Sequence, residues 1–207
     1  MSSRADILAA VALGQPALVR RPAPLVRPAL PASGHLVAEF RQRVGAAGGV
    51  VADVVSLAEV AEYLATYFPF EGPHFTNLTG LEGWCPPGAA VTDGRNLAGV
   101  EMAALAGTFG VAENGAVWVS GHTLPHRALP FICQHLALVL PATALVPTMH
   151  EALDRLAGGP PDYGVFIAGP SKTADIEQSL VIGAHGPRSL TVFLLSSSEP
   201  LPSSIRL

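Results

Sequence analysis

The stretch Gly169–Arg188, GPSKTADIEQSLVIGAHGPR, constrains this chain more than any other, because turn, helix-start and helix-stop signals crowd into it beside a cluster of polar groups. It holds Lys172, the sole lysine of the 207 residues. An apolar run, Tyr163–Ala168, precedes it and another, Leu190–Leu195, follows, each the length of a buried strand. Thr173 has the hydroxyl of a helix cap, Ile176, Leu180 and Ala184 fall on one helical face, and Gly183, Gly186 and Pro187 supply a stop. The order predicts strand, loop, helix, strand. Such a unit joins parallel strands by a right-handed crossover and would set Ser171, Lys172 and Thr173 at strand carboxyl ends, where open α/β sheets bind ligands.

A helix beginning at Ala174 would present free amides and about half a positive charge, enough with Ser171, Lys172 and Thr173 to cradle a phosphate or carboxylate. Asp175 and Glu177 in its first turn would oppose that anion, and Lys172 would then serve to neutralise them. A ligand site and a well-capped surface helix are equal readings of these residues. His185 and Arg188 would emerge at the far end of the helix, about 15 Å away. Neither GxxxxGK[ST] nor GxGxxG occurs, which excludes the usual triphosphate loop and dinucleotide fingerprint.

The length suits one domain with an extension, and 49% hydrophobic against 14% charged residues predicts apolar surface that a partner subunit, including a second copy, would cover. A formal charge of −4 gives no broad attraction to nucleic acid or anionic membrane. Cys85 and Cys133 are the only cysteines and stand far apart, so the chain by itself holds neither an ordinary iron-sulfur cluster nor a cysteine-rich zinc site. No resident cofactor is expected. Without a secretory core or an apolar run of about 18 residues, a cytoplasmic protein with no membrane span is expected.

Arg4–Leu13 reads as a short amphipathic helix, and Gln15–Ser33, with five prolines and three arginines, as an extended arm. The division expected is residues 1–34, helix and arm, and 35–207, an α/β domain. Gly49–Val54 reads as a strand, and Ser56 with Glu59 forms a capping box for a helix running through Tyr67. Phe70–Pro87 reads as an irregular covering loop, Ala89–Thr92 as a strand and Asn96–Leu105 as a helix. Thr108–Ala112 and Ala116–Ser120 flank Asn114-Gly115, a hairpin turn, giving an antiparallel insertion or edge in a mostly parallel sheet. Residues 135–146 read as strand broken at Pro141, and Thr148–Leu156 as a capped helix.

The segment GPSKTADIE followed by GAHGPR is similar to the signature of the lactate-utilisation protein C family, the LUD domain. Weaker agreement covers most of the chain: the N-terminal helix, the Pro-containing arm, the hairpin in VAENGAVWV, and Leu129-Pro130 before a long hydrophobic strand. Where the family shows a segment like AETGT, this chain has Ala112-Glu113-Asn114-Gly115-Ala116 and lacks both threonine hydroxyls. The resemblance implies a Rossmann-like three-layer α/β/α domain of the ribose-phosphate isomerase and coenzyme A transferase type. It further implies an accessory or substrate-handling role in bacterial oxidation of L-lactate to pyruvate, beside separate iron-sulfur subunits. The positions matching its motif are Ser171, Lys172, Thr173, Asp175, His185 and Arg188.

Two other chemistries compete. Glu113-Asn114-Gly115 resembles the Ser-Glu-Asn-Gly motif of class I coenzyme A transferases, whose glutamate attacks an acyl thioester, although Ala112 replaces the serine. The plain alternative is a hairpin turn with an exposed Glu113 and Asn114. His122, His126, His135, His150 and His185 offer metal ligands, but Pro125 disfavours the helix on which His122 and His126 would converge. Ser171 follows Gly-Pro and lacks the GxSxG elbow of a serine hydrolase.

Overall fold

Val50–Val54 (β1), His74–Thr76 (β2), Met102–Ala106 (β3), His135–Pro141 (β6) and Ser189–Leu195 (β11) form an all-parallel sheet in the order β1-β11-β6-β3-β2. They belong to a computed structural model that describes residues 3–15, 35–69, 71–81, 83–84, 94–157, 163–174 and 180–196. The chain divides into two units, Met1–Leu30 and Pro31–Leu207. In the first, the described helix is Ser3–Leu13 (α1), whose Ile7, Leu8, Val11 and Leu13 are all exposed. The proline-rich arm lies outside the described residues, as do Cys85, Asp175, Glu177 and the strand expected at Ala89–Thr92.

Strand alternation sorts the core of the second unit into layers. Leu136, Leu138 and Leu140 of β6, with Leu190, Val192 and Leu194 of β11, face one cluster; Ala137, Val139, Phe193 and Leu195 face another. The second face is covered by helix Leu57–Tyr67 (α3) through Val60 and Leu64. Burying each large aliphatic or aromatic side chain stabilises the fold by about 1.5–3 kcal/mol. The capping box starts α3: the Glu59 amide donates to Ser56 Oγ at 3.3 Å, while the Val55 amide donates to the Glu59 carboxylate at 2.9 Å.

The first face packs on helix Leu36–Ala46 (α2), through Phe40 and Val44, and on a second sheet. That sheet has the order β7-β4-β5-β8, from Leu145–Val146, Phe109–Val111, Ala116–Ser120 and Gly164–Ile167. Helix Met149–Leu156 (α5) covers its outer side, where Ala152 meets Phe109, Val111 and Trp118. The Asn114-Gly115 hairpin is therefore present, with Gly115 at φ 70° and the Ala116 amide donating to Asn114 Oδ1. It builds a separate sheet rather than an edge of the parallel one. A Cβ on Gly115 would come within 2.7 Å of the Val44 amide nitrogen, so α2 packs directly on the turn.

Four expectations need correction. Residues 102–105, expected in a helix, form β3, because Met102–Ala106 is buried on both faces between β2 and β6 and that burial outweighs the helix preference of alanine. The presumed irregular loop 70–87 contains β2, whose His74 stacks on Trp84 at 4.8 Å. Among the described residues no helix follows Thr173: Lys172–Ala174 (β9) and Leu180–Ile182 (β10) pair antiparallel, with residues 175–179 outside the described set. Nor do β8 and β11 flank a parallel crossover, since β8 pairs antiparallel with β5 in the other sheet. Among the described residues, no helix is long and apolar enough to cross a membrane.

Candidate functional site

The two halves of the Gly169–Arg188 motif close on each other. The Ser171 amide donates to Pro187 O at 2.8 Å, and the Gly183 amide donates to Ser171 O at 2.9 Å, so Ser171 sits where the β9–β10 hairpin returns to the sheet. A Cβ on Gly186 would come within 2.9 Å of Ser171 Cβ and 3.1 Å of its Oγ, which makes the second glycine a requirement of close approach. Gly169, at φ 73°, lies against Ala47 O at the end of α2. The Arg188 amide donates to Gln134 O at 2.7 Å, locking the exit of the motif beside the start of β6.

These bonds place the motif at the amino ends of the parallel strands, next to Ser189 and His135, and not at the carboxyl ends expected. The cause is the membership of β8: running in the second sheet, it delivers Gly169–Ser171 to the start of β11. His185, expected about 15 Å from Ser171 across a helix, instead lines the same cavity. The cavity measures about 230 Å³; Phe131 and Phe166 form apolar walls, and Gly169–Ser171 and His185–Pro187 enter from the two motif halves. Phe166 is held by Trp118 at 4.6 Å between ring centroids, whereas Phe131, on the short helix Leu129–Ile132 (α4), is exposed.

The other candidates distribute as follows. Lys172 is exposed, with its Cε 3.7 Å from where a Cβ on Gly48 would stand, so its stem crosses the α2–β1 turn. Thr173 pairs with Val181 in the hairpin. Arg188 is exposed and its stem lies along Gly183, whose missing Cβ would fall within 2.4 Å of Arg188 Cγ. Glu113 is remote from these in the chain and has a structural use: its carboxylate accepts the Met149 amide at 2.7 Å, at the N-terminus of α5. His122 lies in a single 3-10 turn, and His126 Nδ1 accepts the Ala128 amide at 3.1 Å. Among the described residues no group of three or more His, Cys, Asp or Glu side chains could hold a metal ion.

A polar row missed by the sequence reading lies along the amino edge of the parallel sheet. His135 and Ser189 are register partners, with Nδ1 and Oγ 2.7 Å apart, and Phe68 packs its ring on His135 at 5.3 Å. Burial holds the His135 pKa below its usual 6.5, the Arg188 charge lowers it further, and Glu101 partly opposes both. His74 is likewise lowered by burial against a raising effect of Glu101. Cys133, which caps the C-terminal end of α4, is buried, its pKa pushed up to about 12 by burial. The signal for the row was available in that Gln134-His135 and Arg188-Ser189 each begin a strand, but only pairing puts them side by side.

The LUD domain family matches residues 92–195, half of the chain, from before β3 to the last residue of β11. The chain belongs to the LUD domain family. This LUD chain is similar to proteins called Lactate utilization protein C. That of Geobacillus kaustophilus (strain HTA426) is 31% identical over 166 residues, covering 75% of this chain and 66% of the relative. The one from Geobacillus thermodenitrificans (strain NG80-2) is 30% identical with the same coverage, and that of Bacillus pumilus (strain SAFR-032) is 37% identical over 114 residues, 51% of this chain and 47% of the relative. The chain thus spans 66% of the length of the first two relatives. The crystal structure of a DUF162 family protein from Deinococcus radiodurans superposes with a TM-score of 0.57 at 19% identity, covering 80% of this chain and 100% of that one. It shares the fold, a Rossmann-like α/β arrangement about a mostly parallel sheet.

Proposed function

We propose that this chain serves lactate utilization as an accessory or substrate-handling subunit, acting in the cytoplasm beside separate iron-sulfur subunits that oxidise L-lactate to pyruvate. The observation that carries the reading is the identity to Lactate utilization protein C, sustained over 166 residues. The motif cavity supports a handling role, since it gathers Ser171 and His185 from opposite ends of the family signature. Ser171 and His185 serve a small anionic ligand there, and Lys172, Thr173, Asp175 and Arg188 are further proposed positions of the same motif. The exposed apolar side chains of α1 support association with a partner, including a second copy. Residues 1–34 then act as an attachment arm for the domain of residues 35–207.

Deleting the gene from its host tests the reading. Growth on L-lactate as sole carbon source stops while growth on glucose continues, and tagged chain retains cysteine-rich partner proteins. Unimpaired growth on lactate would remove the reading.

A further inference from the structure

We infer that Arg41 guards the open edge of the parallel sheet, holding β1 closed to a second copy of this chain that would otherwise add its own β1 there. Among the described strands, β1 is hydrogen-bonded only to β11 and ends the sheet. Its carbonyls alternate between sides. Val54 O accepts the Ser196 amide at 2.9 Å on the β11 side, so Val51 O, three residues earlier, points outward. Arg41 Nη1 donates to that carbonyl at 2.9 Å, and Nη2 donates to both Asp53 carboxylate oxygens, at 2.8 and 2.7 Å. One guanidinium from α2 thus engages both outward-facing residues of the strand.

Stability gives these contacts little purpose. Both side chains are well exposed, 41% for Arg41 and 63% for Asp53, and ion pairs so placed contribute little to folding. What the contacts occupy is the template on which a further strand adds, since unpaired edge amides and carbonyls invite pairing and charged side chains bar it. The flanks of the strand are inviting, with Val50 and Val55 exposed.

Symmetry and charge name the occupant. Two copies of β1 related by a two-fold axis through Ala52 lie antiparallel, and Val51 then exchanges both backbone bonds with Asp53 of the second copy. Each Asp53 faces a valine, and its own counterpart stands about 7–8 Å away on the diagonal, so no like charges are directly opposed. The guanidinium sits on the Val51 carbonyl that this pairing needs.

The test is sedimentation velocity of the full wild-type chain, of Arg41→Ala and of Arg41→Ala combined with Val51→Pro, with hydrogen exchange read at the amides of Val51 and Asp53. Proline at position 51 removes an outward amide and leaves the bonds to β11 in place. Arg41→Ala doubles the sedimenting mass relative to wild type at equal concentration and slows exchange of the two amides about tenfold. Adding Val51→Pro restores the wild-type mass. Arg41→Ala sedimenting as the wild type, added mass without slower exchange at these amides, or added mass that Val51→Pro leaves in place would each overturn the inference. So would wild-type chain whose Val51 and Asp53 amides already slow as concentration rises, since the edge would then be open with Arg41 present.

Discussion

Replacing Gly186 by alanine measures how tightly the halves of the motif are closed. Gly186 lacks a positive φ, so its backbone accepts alanine and any cost comes from the added methyl. That methyl would stand 2.9 Å from Ser171 Cβ, 3.1 Å from its Oγ and 3.4 Å from Phe131 O. Ser171 is held by backbone bonds at 2.8 and 2.9 Å and cannot retreat without losing one. Overpacking of this kind costs about 1–3 kcal/mol, which for a chain of this size lowers the melting temperature by about 2–4 °C per kcal/mol. Ser171→Gly removes both close atoms. Combined with Gly186→Ala it recovers at least about 1 kcal/mol beyond additivity, less than 1 kcal/mol being lost to glycine flexibility. Urea unfolding of the four chains, with amide exchange at residues 171–174 and 180–186 to detect local opening, reads both numbers. Additive effects in the double variant would refute the proposed contact.

Asn77→Ala strands the buried Ala106 amide and the Thr123 carbonyl, which Asn77 now satisfies at 2.9 and 2.6 Å, and lowers the unfolding free energy by about 2–4 kcal/mol in urea titrations; a loss within ~0.5 kcal/mol contradicts this. His74 and His135 have folded pKa values below 6.5, so the unfolded chain binds protons first and their contribution, intact above pH 6.5, is lost as pH falls toward the folded values. Melting temperature therefore drops from pH 7 to 5, and His135→Asn flattens the drop; an unchanged slope in that variant counts against burial as the cause. Glu113→Gln keeps a hydrogen-bond acceptor at α5 but removes the charge, costing about 0.3–1 kcal/mol by thermal unfolding and leaving growth on lactate unchanged. Loss of growth in that folded variant would revive the acyl-acceptor role.

What the sequence disclosed was what local chemistry decides. Ser56 and Glu59 announce α3 by accepting the Glu59 and Val55 amides, Asn114-Gly115 announces its hairpin through backbone conformation, and Thr148 marks the start of α5 by accepting the Glu151 amide. The β6 and β11 strands were legible as continuous apolar runs because both their faces are buried. The motif hairpin was misread because Ile176, Leu180 and Ala184 satisfy a helical spacing, while the bonds that decide the matter join Ser171 to Gly183 and Pro187, more than ten residues on. Nothing local announces such a ladder. The same holds for β3, where Met-Ala-Ala-Leu-Ala favours helix until neighbours on both sides bury it. Ser171 and His185 were named as candidates and do share a cavity, but Phe131 and Phe166 were not, since they come from α4 and the second sheet and meet the motif only after folding.

On the proposed role, the cavity between the motif halves is what this LUD domain contributes to its host. Ala168→Phe, at an exposed lining position, fills that cavity. Complementation of the gene deletion with the wild-type chain and with Ala168→Phe, both confirmed folded by circular dichroism, tests the role most directly. The account predicts that the wild type restores growth on L-lactate and the cavity-filled variant does not; restoration by Ala168→Phe at the wild-type rate would contradict it.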